Sequence, residues 1–312
     1  MTSLINRFFH KKNSQSTTQG PQEKKSVILL PLTDKDIDNP AENTSPYIQL
    51  KNYLGVAQLI VGVAQDVGIQ RDHNEDSLFT LTANLLSDKN LLKFGLYIVA
   101  DGMGGHENGE IASSVAVSQM TSHVISSLYL PLLSDSNNKM DLSIQEILKN
   151  GVMKAHHIIK KEAFGSGTTL TSALIIGDQL TIAHVGDSRA YSISANGKLK
   201  LLTHDHSLVK RLEDLGQISP EQASIHPQRN VLYRALGQAD LFEPDIASFH
   251  LQPGDQLLIC SDGLWGVIPE DELARVINSS LEPQLACQTL VDLANQAGGP
   301  DNISVILVRI TE

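Results

Sequence analysis

The feature that most constrains this chain is a set of apolar runs that each end, or begin, on a carboxylate. Leu96-Tyr97-Ile98-Val99-Ala100 reads as a buried strand and runs into Asp101-Gly102-Met103-Gly104-Gly105. Glycine allows a sharp turn and a close approach of backbone. A strand that delivers an acid to its exposed end and then opens into a glycine loop suits a cation. A single Asp-Gly at a strand end is ordinarily just a turn, but here the pattern recurs. Leu257 to Ser261 runs into Asp262-Gly263, and Leu180 to Gly186 runs into Asp187-Ser188. Asn74-Glu75-Asp76 precedes Ser77-Leu78-Phe79, and Gly299-Pro300-Asp301-Asn302 leads into Ile303 to Val308. The rest of the chain can be read on the premise that these acids converge.

The intervening segments set the fold class. Leu59 to Ala64 reads as a first strand, closed by a turn at Asp66-Val67-Gly68, and Phe79 to Leu81 continues the sheet. After the glycine loop the spacing predicts a helix from about Gly109 to Leu128, with Ala112, Ala116, Met120, Val124 and Leu128 on one stripe. A second helix is expected over 144–161, opened by the capping-box pattern Ser143-Ile144-Gln145-Glu146. Strands return at 168–176 and 179–185 around Gly177-Asp178, then at 190–193 and 198–202 around Asn196-Gly197, read as a two-residue hairpin turn. Residues 203–240 are polar and irregular, with one helix from Ser207 to Leu215 stopped by Gly216. Helices near 269–279 and 283–297 and a last strand from Ile303 to Ile310 complete the order. Hairpin connections imply antiparallel pairing, and paired helices must cover the sheets. The expected class is α+β, an αββα sandwich of two packed antiparallel sheets flanked by helix pairs.

Residues 1–55 differ from the rest. They are polar and poor in core-formers, and they read as a flexible extension ahead of a folded domain over 56–312. No signal peptide is expected, and no apolar run is long enough to span a bilayer. The two cysteines, Cys260 and Cys287, read as core residues of a reducing compartment, so a cytoplasmic location is expected. A formal charge of −11 argues against a nucleic-acid partner, since like charge would repel the phosphate backbone.

Carboxylates without paired cysteines or histidines select hard, oxygen-loving cations such as magnesium, manganese or calcium. Several acids in one place suggest two ions sharing a bridging carboxylate, an arrangement suited to phosphoryl chemistry. Arg71, just before Asp76, can grip a phosphate in bidentate fashion or simply pair with Asp66 or Asp72. His204 and His206 have no third soft ligand nearby and are not read as a metal pair, and Trp265 reads as a core anchor.

Six blocks occur in order: 66–76, from Asp66 to Asp76; 101–106, from Asp101 to His106; Gly167-Thr168-Thr169; Val185-Gly186-Asp187-Ser188-Arg189; Ser261-Asp262-Gly263-Leu264-Trp265; and Gly299-Pro300-Asp301-Asn302-Ile303. Together they resemble the metal-dependent Ser/Thr protein phosphatases of type 2C, in their bacterial form, over about residues 58–310. The resemblance implies a Mn²⁺ or Mg²⁺ pair at one edge of the sandwich. Asp101 would bridge the ions, the Gly102 carbonyl would ligate one, and Asp262 and Asp301 would hold one. Asp76, with Glu75 beside it, would serve the other, and Asp187 would belong to a third, weaker site. Arg71 would hold the substrate phosphate, and residues 203–240 would form a flap beside the site. Met103 stands where eukaryotic relatives carry a histidine, and His106 is either an acid acting through water or a residue that fixes the loop.

The expected activity is hydrolysis of phosphoserine and phosphothreonine in proteins by a metal-activated water, without a phospho-enzyme, in a monomer acting on products of Ser/Thr kinases. Two rival readings make different demands on the sequence. A non-catalytic sensor domain predicts broken metal positions, and none is broken. A metal-dependent phosphodiesterase or nuclease predicts a basic groove, which the net charge opposes.

Overall fold

A computed structural model describes residues 58–87, 90–104, 108–133, 142–238 and 243–311. The expected N-terminal extension over 1–55 and the candidate acid His106 lie outside the described residues. Two five-stranded sheets carry the fold. The first has the order β1 (Leu59–Asp66), β12 (Ile303–Ile310), β11 (Gln256–Cys260), β8 (Arg189–Ile193), β9 (Leu199–Leu201). The second runs β10 (Asp245–His250), β7 (Gln179–Val185), β6 (Leu170–Ile176), β3 (Asn90–Ala100), β2 (Ser77–Ser87). Every pairing is antiparallel. A two-stranded ribbon joins β4 (Gly102–Met103) to β5 (Gly167–Thr168).

The apolar runs are continuous because both faces of the central strands are buried. Along β3, Leu96, Ile98 and Ala100 face one hydrophobic cluster while Tyr97 and Val99 face another. Along β12, Ile303, Val305 and Leu307 face a third cluster while Ile306 and Val308 share the second with Tyr97. That shared cluster is the seam between the sheets. On the outer face of the second sheet lie α1 (Asn108–Val124) and α3 (Ile144–Glu162). A π-helical turn, Ile125–Tyr129, and the short α2 (Leu130–Leu133) extend α1. The first sheet is covered by α7 (Glu270–Ser279) and α8 (Pro283–Gln296). The layers are therefore α, β, β, α, as expected.

The local readings hold in detail at the helices. Ala112, Ala116, Met120, Val124 and Leu128 are all fully buried. The Ser143 hydroxyl accepts the Glu146 N–H, and Glu146 accepts the Ser143 N–H, so both ends of the capping box close. Cys260 and Cys287 are free and buried. Three features differ from expectation. The β8–β9 connection is longer than a two-residue hairpin: Gly197 N–H bonds the Ser194 carbonyl and Ser194 N–H bonds that of Lys198, with Gly197 at φ 83°. A three-residue loop results, because the turn is followed by a left-handed glycine. β10 was not anticipated, since Asp245-Ile246-Ala247-Ser248-Phe249-His250 is a partly exposed edge strand with weak alternation. Within 203–238, α4 (Leu208–Asp214) follows its expected cap at Ser207, and a further short helix, α5 (Pro220–Ser224), follows Ser219.

Candidate active site

Antiparallel order brings alternate strand ends to the same edge, and this places the acids. At the end of the β1–β12 ladder Asp66 pairs with Ile303, so Asp301 lies beside the end of β1. Cys260 pairs with both Val305 and Arg189, so β11 delivers Asp262 to that edge. In the other sheet Ser77 pairs with Ala100, setting Asp76 and Asp101 side by side, and Leu170 pairs with Val185 next to Asp187. The short α6 (Asp262–Trp265) begins on Asp262 itself.

Two close approaches need glycine. A Cβ at Gly102 would fall 2.3 Å from the Gly109 carbonyl oxygen and 2.6 Å from that of Glu75, so the start of α1 packs directly on the loop. A Cβ at Gly263 would fall 2.1 Å from the Asn302 carbonyl oxygen. Asn302, to which the sequence pattern assigns no role, is a hub. Its amide donates to the carbonyls of Val67, at 2.7 Å, and His73, at 3.0 Å, and its Oδ1 accepts the Glu75 N–H at 2.8 Å. The residue next to Asp301 thus fixes the loop that carries Arg71, Glu75 and Asp76. Its signal in the sequence was an asparagine directly after an acid at a strand start. The Ser113 hydroxyl secures the same loop from α1 by donating to the Glu75 carbonyl.

The acids strain against one another. Asp76 is buried, and neither of its carboxylate oxygens has a hydrogen-bond partner. Burial, reinforced by Asp262 and Asp301, pushes its pKa up to about 8, although the nearby Ser304 and Ser261 hydroxyls pull the other way. Burial, with Asp76, Asp262, Asp187 and Asp301 around it, holds Asp101 well above the carboxylate range. Asp187 is raised in the same way by burial, Asp262 and Asp205, with Arg189 partly offsetting them. Asp262 rises to about 6 through burial and Asp301. Its Oδ1 and Glu75 Oε1 are also buried without hydrogen-bond partners. Each of the four raised aspartates is pushed up by at least one other of the set, so Asp76, Asp101, Asp187, Asp262 and Asp301 lie near one another, with Glu75 adjacent to Asp76 in sequence.

Arg71 pairs with neither Asp66 nor Asp72. Its Nη2 donates to Asp301 Oδ2 at 2.7 Å, while Asp66 Oδ1 accepts the Gly68 N–H. His204 and His206 do not form a pair: His204 Nε2 meets Asp214, and His206 is engaged with Gly186, Arg234 and Asp245. Trp265 packs on the helix-side cluster and donates to the Asp187 carbonyl, with Arg189 stacked 3.6 Å from its ring centroid.

The donor set is all oxygen and strongly anionic, the chemistry that hard divalent ions select. Buried carboxylate oxygens without hydrogen bonds are costly unless a cation meets them, so the residues fit a metal centre. Among the described residues no three acid or imidazole side chains yet enclose one point closely enough to coordinate a single ion.

Comparison with known proteins identifies the family. A family model described as Protein phosphatase 2C matches residues 63–303. The serine/threonine phosphatase stp of Listeria innocua is 38% identical over 244 residues, spanning 78% of this chain and 93% of that protein. The solved serine/threonine phosphatase of S. agalactiae superposes with a TM-score of 0.69 at 33% identity, over 81% of this chain and 100% of that one. The catalytic domain of the serine/threonine protein phosphatase PstP, solved in complex with 2 manganese ions, superposes with a TM-score of 0.64 at 30% identity, over 82% and 100%. On these matches the chain belongs to the protein phosphatase 2C family: it is a metal-dependent serine/threonine protein phosphatase.

Proposed function

We propose a residue-level division of labour for that activity. Asp76, Asp101, Asp262 and Asp301, with Glu75 and the Gly102 carbonyl, would hold a Mn²⁺ or Mg²⁺ pair, with Asp101 the acid that would be shared. Bound there, such a pair supplies an activated water and steadies the charge of an in-line displacement at phosphorus. Asp187 serves a further, weaker ion. The observation that carries this reading is Asp76, buried with both carboxylate oxygens lacking a hydrogen-bond partner and its pKa pushed up to about 8.

Arg71 receives the phosphate. Its bond to Asp301 uses one of the five N–H donors of a guanidinium, leaving a fork for two phosphate oxygens. Its side chain is 44% exposed, so an incoming phosphoester can reach it. A proton must still reach the leaving serine or threonine oxygen; His106 is the residue assigned to it, acting through water, and it lies outside the described residues.

The substrates are phosphoproteins, and serine/threonine kinases are the class of enzyme that must supply them. We assign the protein to the cytoplasm as a monomer, with residues 1–55 as an appended segment. No helix among the described residues is long and apolar enough to cross a membrane. Replacing Asp262 or Asp101 by Ala and assaying a phosphopeptide with Mn²⁺ tests the assignment. Undiminished turnover in either variant would remove it.

A further inference from the structure

The turn that carries Asp187 is held from one side by a single residue of the 203–238 segment. Gly186, immediately before it, donates its N–H to His206 Nδ1 at 3.0 Å, and its carbonyl accepts the His206 N–H at 2.7 Å. One residue thus satisfies both polar groups of Gly186. Gly186 itself stands at φ 106°, and a Cβ there would fall 2.6 Å from Thr169, so the turn has little freedom of its own. On the far side of Asp187, Trp265 holds its carbonyl, and Arg189 is gripped by both oxygens of Asp205, the neighbour of His206.

The ring of His206 is oriented in turn. An Nδ1 that accepts a backbone N–H leaves the proton of a neutral imidazole on Nε2. That atom faces two groups, Asp245 Oδ2 at 3.2 Å, at the start of β10, and Arg234 Nη1 at 3.1 Å, and Arg234 Nη1 also donates to Asp245 Oδ1 at 2.8 Å. The imidazole is buried. Burial and Arg234 lower its pKa, which agrees with a neutral ring.

We infer that His206 is a positioning residue for the metal site of Asp187, setting the carboxylate's approach through the Gly186 backbone. The inference rests on the reading of Asp187 as the acid of a weaker ion site. It makes the 203–238 segment and the β10 start part of that site's support, although neither supplies a ligand.

The test uses the geometry of amide replacements. Asn in place of His206 puts an acceptor near the Nδ1 position, whereas Gln reaches toward the Nε2 position. Mn²⁺ alone is titrated into the full chain by calorimetry for wild type, His206→Asn, His206→Gln and Asp187→Asn, with melting temperatures measured in parallel. Asp187→Asn is expected to lose the weakest binding event. His206→Gln is expected to weaken that event about tenfold while the tighter pair is retained, and His206→Asn to bind as wild type. Asp245→Ala, at a half-exposed position, gives a milder shift in the same direction even if the ring replacements destabilise the fold. Wild-type titrations for both His206→Gln and Asp245→Ala, with the weak event lost in Asp187→Asn, overturn the role of His206 and leave Asp187 in place. A weak event that survives Asp187→Asn removes the reading of Asp187, and this inference with it.

Discussion

Arg71 and Asp301 stand 230 residues apart in sequence and meet at 2.7 Å. The guanidinium that is proposed to take the substrate phosphate is held beside an acid proposed to take a metal ion. Asp301, with Glu75 and Asp262, holds the charge of Arg71 against its partial burial. On that proposal the two groups are neighbours before any substrate arrives, and their distance would set where a phosphoryl group can sit.

Removing the fork should cost transition-state binding. Arg71→Ala is expected to lower kcat/KM toward a phosphopeptide by about 10–100-fold, the worth of a charged hydrogen bond. Arg71→Lys should recover part of that loss, because it restores charge without the bidentate geometry. Steady-state kinetics at saturating Mn²⁺ would measure both; equal rates for Ala and wild type would place the phosphate elsewhere.

Neutralising Asp101, the acid proposed to bridge the ions, should have opposite effects on activity and stability. Asp101→Asn is expected to lose at least about 10³-fold in turnover, since a metal-supported displacement is worth several kcal/mol. In EDTA the same variant should melt about 2–6 °C above wild type, because a buried carboxyl crowded by Asp76, Asp262, Asp187 and Asp301 is replaced by a neutral amide. A variant that melts lower than wild type in EDTA would contradict the crowding argument.

The pH dependence has a definite sign. Asp76 has its pKa at about 8 in the fold against 3.8 ordinarily. Between those values the unfolded chain has released the proton and the folded chain keeps it, so stability falls as pH rises through this window. Asp262, at about 6, adds to the fall over its lower part. Saturating Mn²⁺ meets the ionised acids and should raise the melting temperature by about 5–10 °C at 100 times its dissociation constant. Melting curves from about pH 5 to about pH 8, in EDTA and in Mn²⁺, should show the gap widening with pH. A gap independent of pH would show that these acids do not govern it.

Asn302, a buried polar residue, should matter for stability. Asn302→Ala removes the donors to Val67 and His73 and the acceptor for Glu75, leaving one buried and two partly buried hydrogen bonds unmade, at a cost of about 3 kcal/mol. Asn302→Asp keeps the acceptor but loses both donors and adds a charge beside Asp301, so it should be no milder. Urea denaturation measures both; a loss near zero for Ala would mean that the loop is held from the Ser113 side alone.

Much of this protein was legible from its residues, and the failures have physical causes. Both buried faces of β3, β11 and β12 produced apolar runs that announced strands, and the stripes and the Ser143 capping box announced α1 and α3. β10 escaped because an edge strand need not alternate strongly when only part of it is buried. The partner of Arg71 escaped because local spacing favours Asp66 and Asp72, whereas the register Asp66 to Ile303 brings in Asp301 from the far end of the chain. His206 escaped because a histidine that bonds a backbone N–H looks, in one dimension, like any other polar loop residue.

What the order of residues determined alone was the inventory: which segments are strands, which acids stand at their ends, and that an oxygen-only donor set selects hard cations. Periodicity and side-chain chemistry are local properties, so they survive in a linear string. The tertiary structure decided which acids crowd one another, which guanidinium reaches which carboxylate, and which residues brace them from behind. Those are matters of strand register and packing between segments hundreds of residues apart, and burial turns that proximity into shifted pKa values and partnerless oxygens that no local pattern encodes.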